Sequence, residues 1–277
     1  PKEPLLKVVA PIMEAQLVET AILNIINHQS LIATKASRVV FAAAGDGIME
    51  FGLRRAQGPD AGLYGARAAV IGGCVGTSNV LAGKLFDVPV LGTHAHSWIM
   101  SFPDEYTAFK AYADLYPDNC TLLVDTYDTL KSGVPNAIRV FQEMRDAGVK
   151  LTRYGIRLDS GDLAYLSKKA RKMLDEAGFE DATIAASNDL DEYLLHDLKI
   201  QGAAITSWGV GTNLITSKDC PSFGGVYKLA AIKTEDGEFV PKIKLSENTE
   251  KITNPGNKTI YRIYDKATGK ILSLIHI

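Results

Sequence analysis

Cysteine is scarce in this chain. Its 277 residues hold three, Cys74, Cys120 and Cys220, far apart and with no Cys-x-x-Cys pair. That spacing argues against a disulfide framework or a cysteine-based zinc site, and it leads us to expect reduced thiols in the cytoplasm. Long apolar runs are also missing: none approaches the ~20 residues that a membrane helix needs. Neither sign of charge dominates, since 30 Lys and Arg against 32 Asp and Glu leave a formal charge of −2. Such a balance supplies no field for nucleic acid or an anionic membrane surface, so any basic group that matters must be local to a pocket. Tandem repeats and low-complexity linkers are absent from the sequence as well.

What is present is an ordinary globular composition over a length that suits one large α/β domain and a smaller appendage. The middle of the chain repeats one unit. An apolar strand-like run, Thr121–Val124, ends at Asp125 and is followed by a helical pattern on Ala137, Val140, Phe141, Met144 and Ala147, which Gly148 stops. The next run ends at Asp159 and leads to a helical pattern on Leu163, Leu166, Ala170, Leu174 and Ala177. Ala182–Ala186 and Ala203–Trp208 continue the alternation. Strands alternating with helices predict a parallel sheet, and polar residues always at the far end of the strand favour a barrel over an open sheet.

Upstream, the pattern predicts a helix near Glu14–Ile32, strands at Arg38–Ala43 and Pro89–Gly92, and helices over Ala61–Ile71, Ser78–Leu85 and Asp104–Leu115. After about Pro221 the texture changes to alternating β-branched and aromatic runs at Val226–Ile232, Phe239–Leu245 and Thr259–Tyr264, which predicts antiparallel strands. The expected organisation is therefore a barrel domain over 1–221 and a β-rich part of a second domain over 222–272. Both ends look cut, and residues 272–277 read as a non-native tail that a common sequencing-adapter repeat would encode. Ordinary genomic sequence through those codons would overturn that reading, and His276 is given no function.

Three runs at strand ends carry the chemistry: Gly92-Thr93-His94-Ala95-His96, Arg157-Leu158-Asp159-Ser160-Gly161-Asp162 and Gly209-Val210-Gly211-Thr212-Asn213. His94 and His96, two apart, would face one side of a strand and could pair on a metal, but the further histidines that such a centre needs are missing from the pattern. A single acid–base or nucleophilic histidine at a barrel mouth is the better reading. Arg157 and Asp159 share a strand face, and the planar fork of an arginine in a strand-end pocket suits a carboxylate or phosphate. Ser160 or Asp162 can cap the helix that follows. The glycines of the third run let backbone amides approach phosphate oxygens. Phe51 beside Arg54 and Arg55 could hold a flat anionic ring by stacking and charge.

These residues in this order resemble the nicotinate phosphoribosyltransferases. The resemblance extends over Glu50–Gly58, Val75–Asn79, Gly92–Ser97, Ile156–Leu163, Ala186–Asp189, Gly209–Thr216 and Val226–Leu229. It implies an α/β fold, an irregular (β/α) barrel of the type II phosphoribosyltransferase kind, with a second, split α/β domain built from both chain ends. It also implies a reaction in NAD biosynthesis: nicotinate and phosphoribosyl pyrophosphate give nicotinate mononucleotide and pyrophosphate, coupled to ATP hydrolysis, with Mg2+ and in a homodimer. On this likeness His96 matches the transiently phosphorylated histidine, while Thr93 and Arg157 match nicotinate-binding positions. Phe51 and Arg54 match the wall of the ring site. Thr212 matches a phosphoribosyl position, with Gly211 and Asn188 beside it, and Asp159 is a carboxylate placed to stabilise an oxocarbenium-like centre or to hold ribose hydroxyls. The nicotinamide-using relatives place an acid where this chain has Ser78, and a neutral Ser78 favours nicotinate. Alternatives are a nicotinamide-using relative, a metal-dependent barrel hydrolase on His94 and His96, and a catalytically silent fragment.

Overall fold

The computed structural model describes residues 4–247 and 252–276. The chain divides into two compact units, one of residues 27–223 and one of residues 1–26 with 224–277. The first 26 residues thus group with the C-terminal strands, whereas the sequence reading places them within 1–221.

The larger unit is built on a parallel sheet of β1 (Gly47–Glu50), β2 (Gly76–Thr77), β3 (Cys120–Leu123), β4 (Tyr154–Leu158), β5 (Thr183–Ala186) and β6 (Ser207–Val210) in the order β2-β1-β6-β5-β4-β3. Each pairing is parallel, so all six C-terminal ends lie at one end of the sheet. The sheet is strongly curled, and one short segment shows it. Val90 pairs with Thr77 outside β2. Four residues on, the ring of His94 accepts the N–H of Leu123 on β3, the opposite edge, at 3.2 Å. Laid flat, those edges would stand about 29 Å apart at the usual strand spacing of about 4.8 Å. Val90 to His94 reaches about 14 Å at most, so the sheet must curl toward closure even with an imidazole side chain added.

Helices cover the outside of this curl where the sequence pattern expects them. The helix Val134–Asp146 buries Val134, Ala137, Val140, Phe141 and Met144, and the helix Leu163–Glu176 buries Leu163, Ala164, Ser167, Ala170 and Leu174. Phe141 stacks edge-on against Tyr154 of β4 and against Phe179. Carboxylates cap the helices Glu105–Leu115, Leu163–Glu176 and Glu192–Ile200: Asp104, Asp162 and Asp191 accept the N–H of Thr107, Tyr165 and Leu194 at 2.8–2.9 Å. Gly178, at φ +76°, closes the helix Leu163–Glu176 in the left-handed conformation that glycine adopts without steric cost.

Two local expectations fail. Arg38–Ala43 is not a strand: a helix runs from Glu19 to Ala42. Its β-branched pair Val39-Val40 belongs to a helical face on which Ile32, Lys35, Ala36 and Val39 are buried, so tertiary packing outweighs local propensity. Pro89–Gly92 contributes only the bridge at Val90. The sequence reading also lacks β1, in which only Ile48 and Met49 are large apolar residues.

In the smaller unit, β7 (Ala231–Lys233) pairs antiparallel with β8 (Phe239–Pro241), and β9 (Ile260–Tyr264) pairs antiparallel with β10 (Ile271–His276). Tyr227 donates its hydroxyl to the carbonyl of Ala15 at 2.8 Å, tying the C-terminal segment to the N-terminal one. Residues 272–276 lie in β10, and Ile277 lies outside the described residues.

Candidate active site

The sequence-predicted residues cluster because parallel strands deliver the residue after each strand to the same rim. Phe51 follows β1, Ser78 follows β2, Asp159 follows β4, Ser187 and Asn188 follow β5, and Gly211 and Thr212 follow β6. Asp125 comes two residues after β3.

Arg157, the fourth residue of β4, is the hub. Its side chain is only 17% exposed. Nη1 donates to Thr93 Oγ1 at 2.8 Å, Nε to Ser187 Oγ at 2.9 Å and Nη2 to Asp159 Oδ1 at 3.1 Å. Ser187 also donates its hydroxyl to the same Asp159 oxygen. The guanidinium carbon stands 5.5 Å from the centroid of the Phe51 ring. Phe51 in turn lies against Gly209, where a Cβ would come within 2.4 Å of the ring. A glycine in β6 is therefore what makes room for the aromatic wall.

His96 and His94 do not share a strand face, which corrects the sequence expectation. His94 sits in the loop before the short helix His96–Met100, and His96 opens that helix. The helical turn sends the two rings to different partners. His94 is buried, and its Nε2 takes the Leu123 N–H. Nδ1 lies 3.5 Å from the carbonyl of Ala95, and Tyr112 packs edge-on at 4.6 Å. Burial, with the nearby charge of Arg157 as a lesser cause, lowers its pKa to about 4. A neutral imidazole whose Nε2 already accepts a backbone N–H is not free to join His96 on a metal, and no group of three or more His, Cys, Asp or Glu suited to a metal occurs among the described residues.

His96 is part-exposed at 39% and pairs with the buried carboxylate of Asp125, Nε2 to Oδ1 at 3.1 Å. The other Asp125 oxygen accepts the N–H of Asp159 at 2.9 Å and the hydroxyl of Ser160 at 2.5 Å. A carboxylate only accepts, so the imidazole donates from Nε2, and in the neutral ring the lone pair is then on Nδ1. Of the two proposed caps, Asp162 holds the helix and Ser160 serves Asp125.

The third run forms a turn at Gly211 into the helix Thr212–Ile215. Buried Asn213 donates to the carbonyls of Asp189 and Leu190 at 2.8 and 3.1 Å, locking this turn to the loop after β5. In that loop Asn188 and Asp189 take left-handed backbone angles of φ +97° and +38°. Arg54 is exposed on the turn Leu53–Arg55, and Ser78 is exposed after β2. Among the described residues, Arg54, Ser78, Asn188, Gly211 and Thr212 stand around the Arg157 network rather than within it.

Sequence reasoning misses Asp125 and Ser187, which the structure joins to His96, Arg157 and Asp159. The signal was available for both, since each follows a strand just as Asp159 does.

Residues 47–262 match the Nicotinate phosphoribosyltransferase (NAPRTase) family. The chain belongs to that family. It is 59% identical over 265 residues to the nicotinate phosphoribosyltransferase of Bacillus subtilis, covering 96% of this chain and 53% of that protein. Identity to the Dictyostelium discoideum enzyme of the same name is 42% over 321 residues, covering 99% of this chain and 53% of the relative. The chain thus spans about half the length of these curated relatives. Among solved structures, human nicotinic acid phosphoribosyltransferase superposes with a TM-score of 0.77 at 31% identity, covering 96% of this chain and 59% of that one. A nicotinate-nucleotide pyrophosphorylase from Pyrococcus furiosus superposes at 0.68 with 25% identity, covering 93% and 60%. The architecture is the type II phosphoribosyltransferase fold, with a curled parallel half-barrel.

Proposed function

We propose that this chain carries the active site of an ATP-coupled nicotinate phosphoribosyltransferase. The observation that supports this most directly is the hub at Arg157. A guanidinium beside an aromatic ring and a threonine hydroxyl offers a planar aromatic carboxylate both a face and an anion partner. Phe51 supplies the face, Arg157 and Thr93 take the carboxylate, and exposed Arg54 adds positive charge at the rim.

In the transfer, the pyridine nitrogen attacks C1 of the phosphoribosyl group. The N–C1 bond forms as the C1–O bond breaks, and pyrophosphate leaves with the electron pair. Asp159 stands at the rim where positive charge develops on C1 or where ribose hydroxyls sit, and Arg157 and Ser187 fix its carboxylate. The amides at Gly211 and Thr212, with Asn188 opposite, suit the phosphate and ribose. Mg2+, when bound with the substrate phosphates, neutralises charge on the leaving group. A part-exposed carboxylate such as Asp159 fits as the chain's own oxygen donor to an ion that otherwise takes substrate oxygens.

His96 is the site of phosphoryl transfer from ATP. Asp125 holds the Nε2 proton and so leaves Nδ1 as the nitrogen that forms the N–P bond while ADP departs. The resemblance implies a homodimer, and the free cysteines, two of them buried, suit a cytoplasmic enzyme.

The test is a competition. The complete reading frame is supplied with magnesium, phosphoribosyl pyrophosphate, nicotinate and nicotinamide, with and without ATP, and mononucleotides are followed by mass spectrometry. Nicotinate mononucleotide formed faster with ATP is the expected result. Preference for nicotinamide would move the protein to the other base, and no mononucleotide at all would overturn the reading.

A further inference from the structure

Glu50 takes no part in the chemistry above, yet it is the fully buried residue immediately before Phe51. Its Oε2 accepts the hydroxyl of Thr77 at 2.6 Å, and its Oε1 accepts the N–H of Gly52. Its own carbonyl accepts the N–H of Ser78 at 3.0 Å. Thr77 Oγ1 accepts the N–H of Asn79 at 3.0 Å, and Asn79 caps the helix Val80–Phe86 through Ala82 N–H at 3.2 Å. One residue therefore knots the end of β1 to the end of β2. The residues hanging from the two strands are Phe51, on the ring wall, and Ser78, at the position tied to the choice of base.

The polarity of this knot is specific. Gly52 and Thr77 both donate inward, and the Thr77 oxygen is already an acceptor for Asn79, so only a group with two acceptors satisfies both. An amide cannot: one of its ends is a donor and must face a donor or strand the Thr77 hydroxyl proton. Gly52 has no room to shift, because a Cβ there would stand 2.4 Å from Ile215 in the helix of the phosphate loop. Burial raises the Glu50 pKa, and the Thr77 and Gly52 hydrogen bonds work against that rise. A carboxylate kept in so buried a place, where an apolar side chain would pack without desolvation cost, calls for a role.

We propose that Glu50 is a positioning residue for the pyridine base, holding Phe51 and Ser78 at the spacing that admits nicotinate. This rests on the reading of the site as a nicotinate site. Steady-state kinetics of the complete reading frame test it, with E50Q, Thr77→Val and Thr77→Ser measured against each substrate. The expected result is a nicotinate KM raised about tenfold in E50Q and Thr77→Val, a phosphoribosyl pyrophosphate KM changed by less than about twofold, and recovery in Thr77→Ser. A loss of kcat or folded fraction alone, with the nicotinate KM unmoved, would make Glu50 a fold residue and overturn the inference. Should E50Q fail to fold, the two Thr77 variants decide it. A wild-type protein that makes no nicotinate mononucleotide removes the functional reading and this inference with it, whereas an active wild type with unshifted variants removes only the inference.

Discussion

His96 and Asp125 are joined at 3.1 Å, and the second oxygen of the same carboxylate holds the backbone of Asp159. One buried side chain thus orients the ring that we propose accepts the phosphoryl group and anchors the loop that carries Asp159.

Asp125→Asn should therefore damage two steps at once. Three donors, from His96, Asp159 and Ser160, converge on two acceptor oxygens, and an amide keeps only one. We expect turnover with ATP to fall by about 10²-fold and the acceleration by ATP to shrink. Rates with and without ATP check this; an unchanged ATP effect would separate Asp125 from the histidine step.

Ser78→Asp should lower the preference for nicotinate over nicotinamide. A carboxylate at this exposed position repels the substrate's own carboxylate and offers an acceptor to an amide. The ratio of kcat/KM values in competition should drop by about tenfold or more, and a constant ratio would deny Ser78 its part in selection.

Gly209→Ala drives a methyl into the Phe51 ring. The backbone there is locked in β6 between β1 and β5, so the ring must yield. Overpacking of this kind costs about 1–3 kcal/mol. The thermal midpoint should fall and the nicotinate KM rise together; a KM that stays put while stability falls would mean the ring wall is dispensable.

Acid should weaken the fold through His94. Its folded-state pKa of about 4 lies below the ordinary 6.5, so the unfolded chain binds the proton first as pH falls. Stability is unaffected above about pH 6.5, declines between about 6.5 and 4, and loses about 3 kcal/mol from this group over that window. His94→Gln keeps a side chain able to accept the Leu123 N–H and should show a flatter decline in urea unfolding across the same pH range.

The helices with strong one-sided patterns, Val134–Asp146 and Leu163–Glu176, were legible in the sequence because burial follows their period. So was the rim, since Asp159 and Gly211 each end an apolar run. What could not be read was anything set by contacts distant in sequence. Val39 and Val40 look like strand residues until the face shared with Ile32 and Ala36 is buried. The different surroundings of His94 and His96 depend on a helix that begins between them and on β3, almost 30 residues away. Glu50 reads only as the first residue of the stretch Glu50–Gly58, and Thr77, the side chain that hydrogen-bonds to its carboxylate, comes from a different strand.

The segment from Val90 to His94 is the seam of the curled sheet, and Thr93 lies in it, hydrogen-bonded to Arg157 of β4. Unzipping a curled sheet starts where its edges meet, because backbone pairing is thinnest there. A molecule gripping Thr93 and Arg157 together would act as a clasp across that seam. Occupying the site would then slow the breathing of the whole curled sheet, including strands that the occupant never touches.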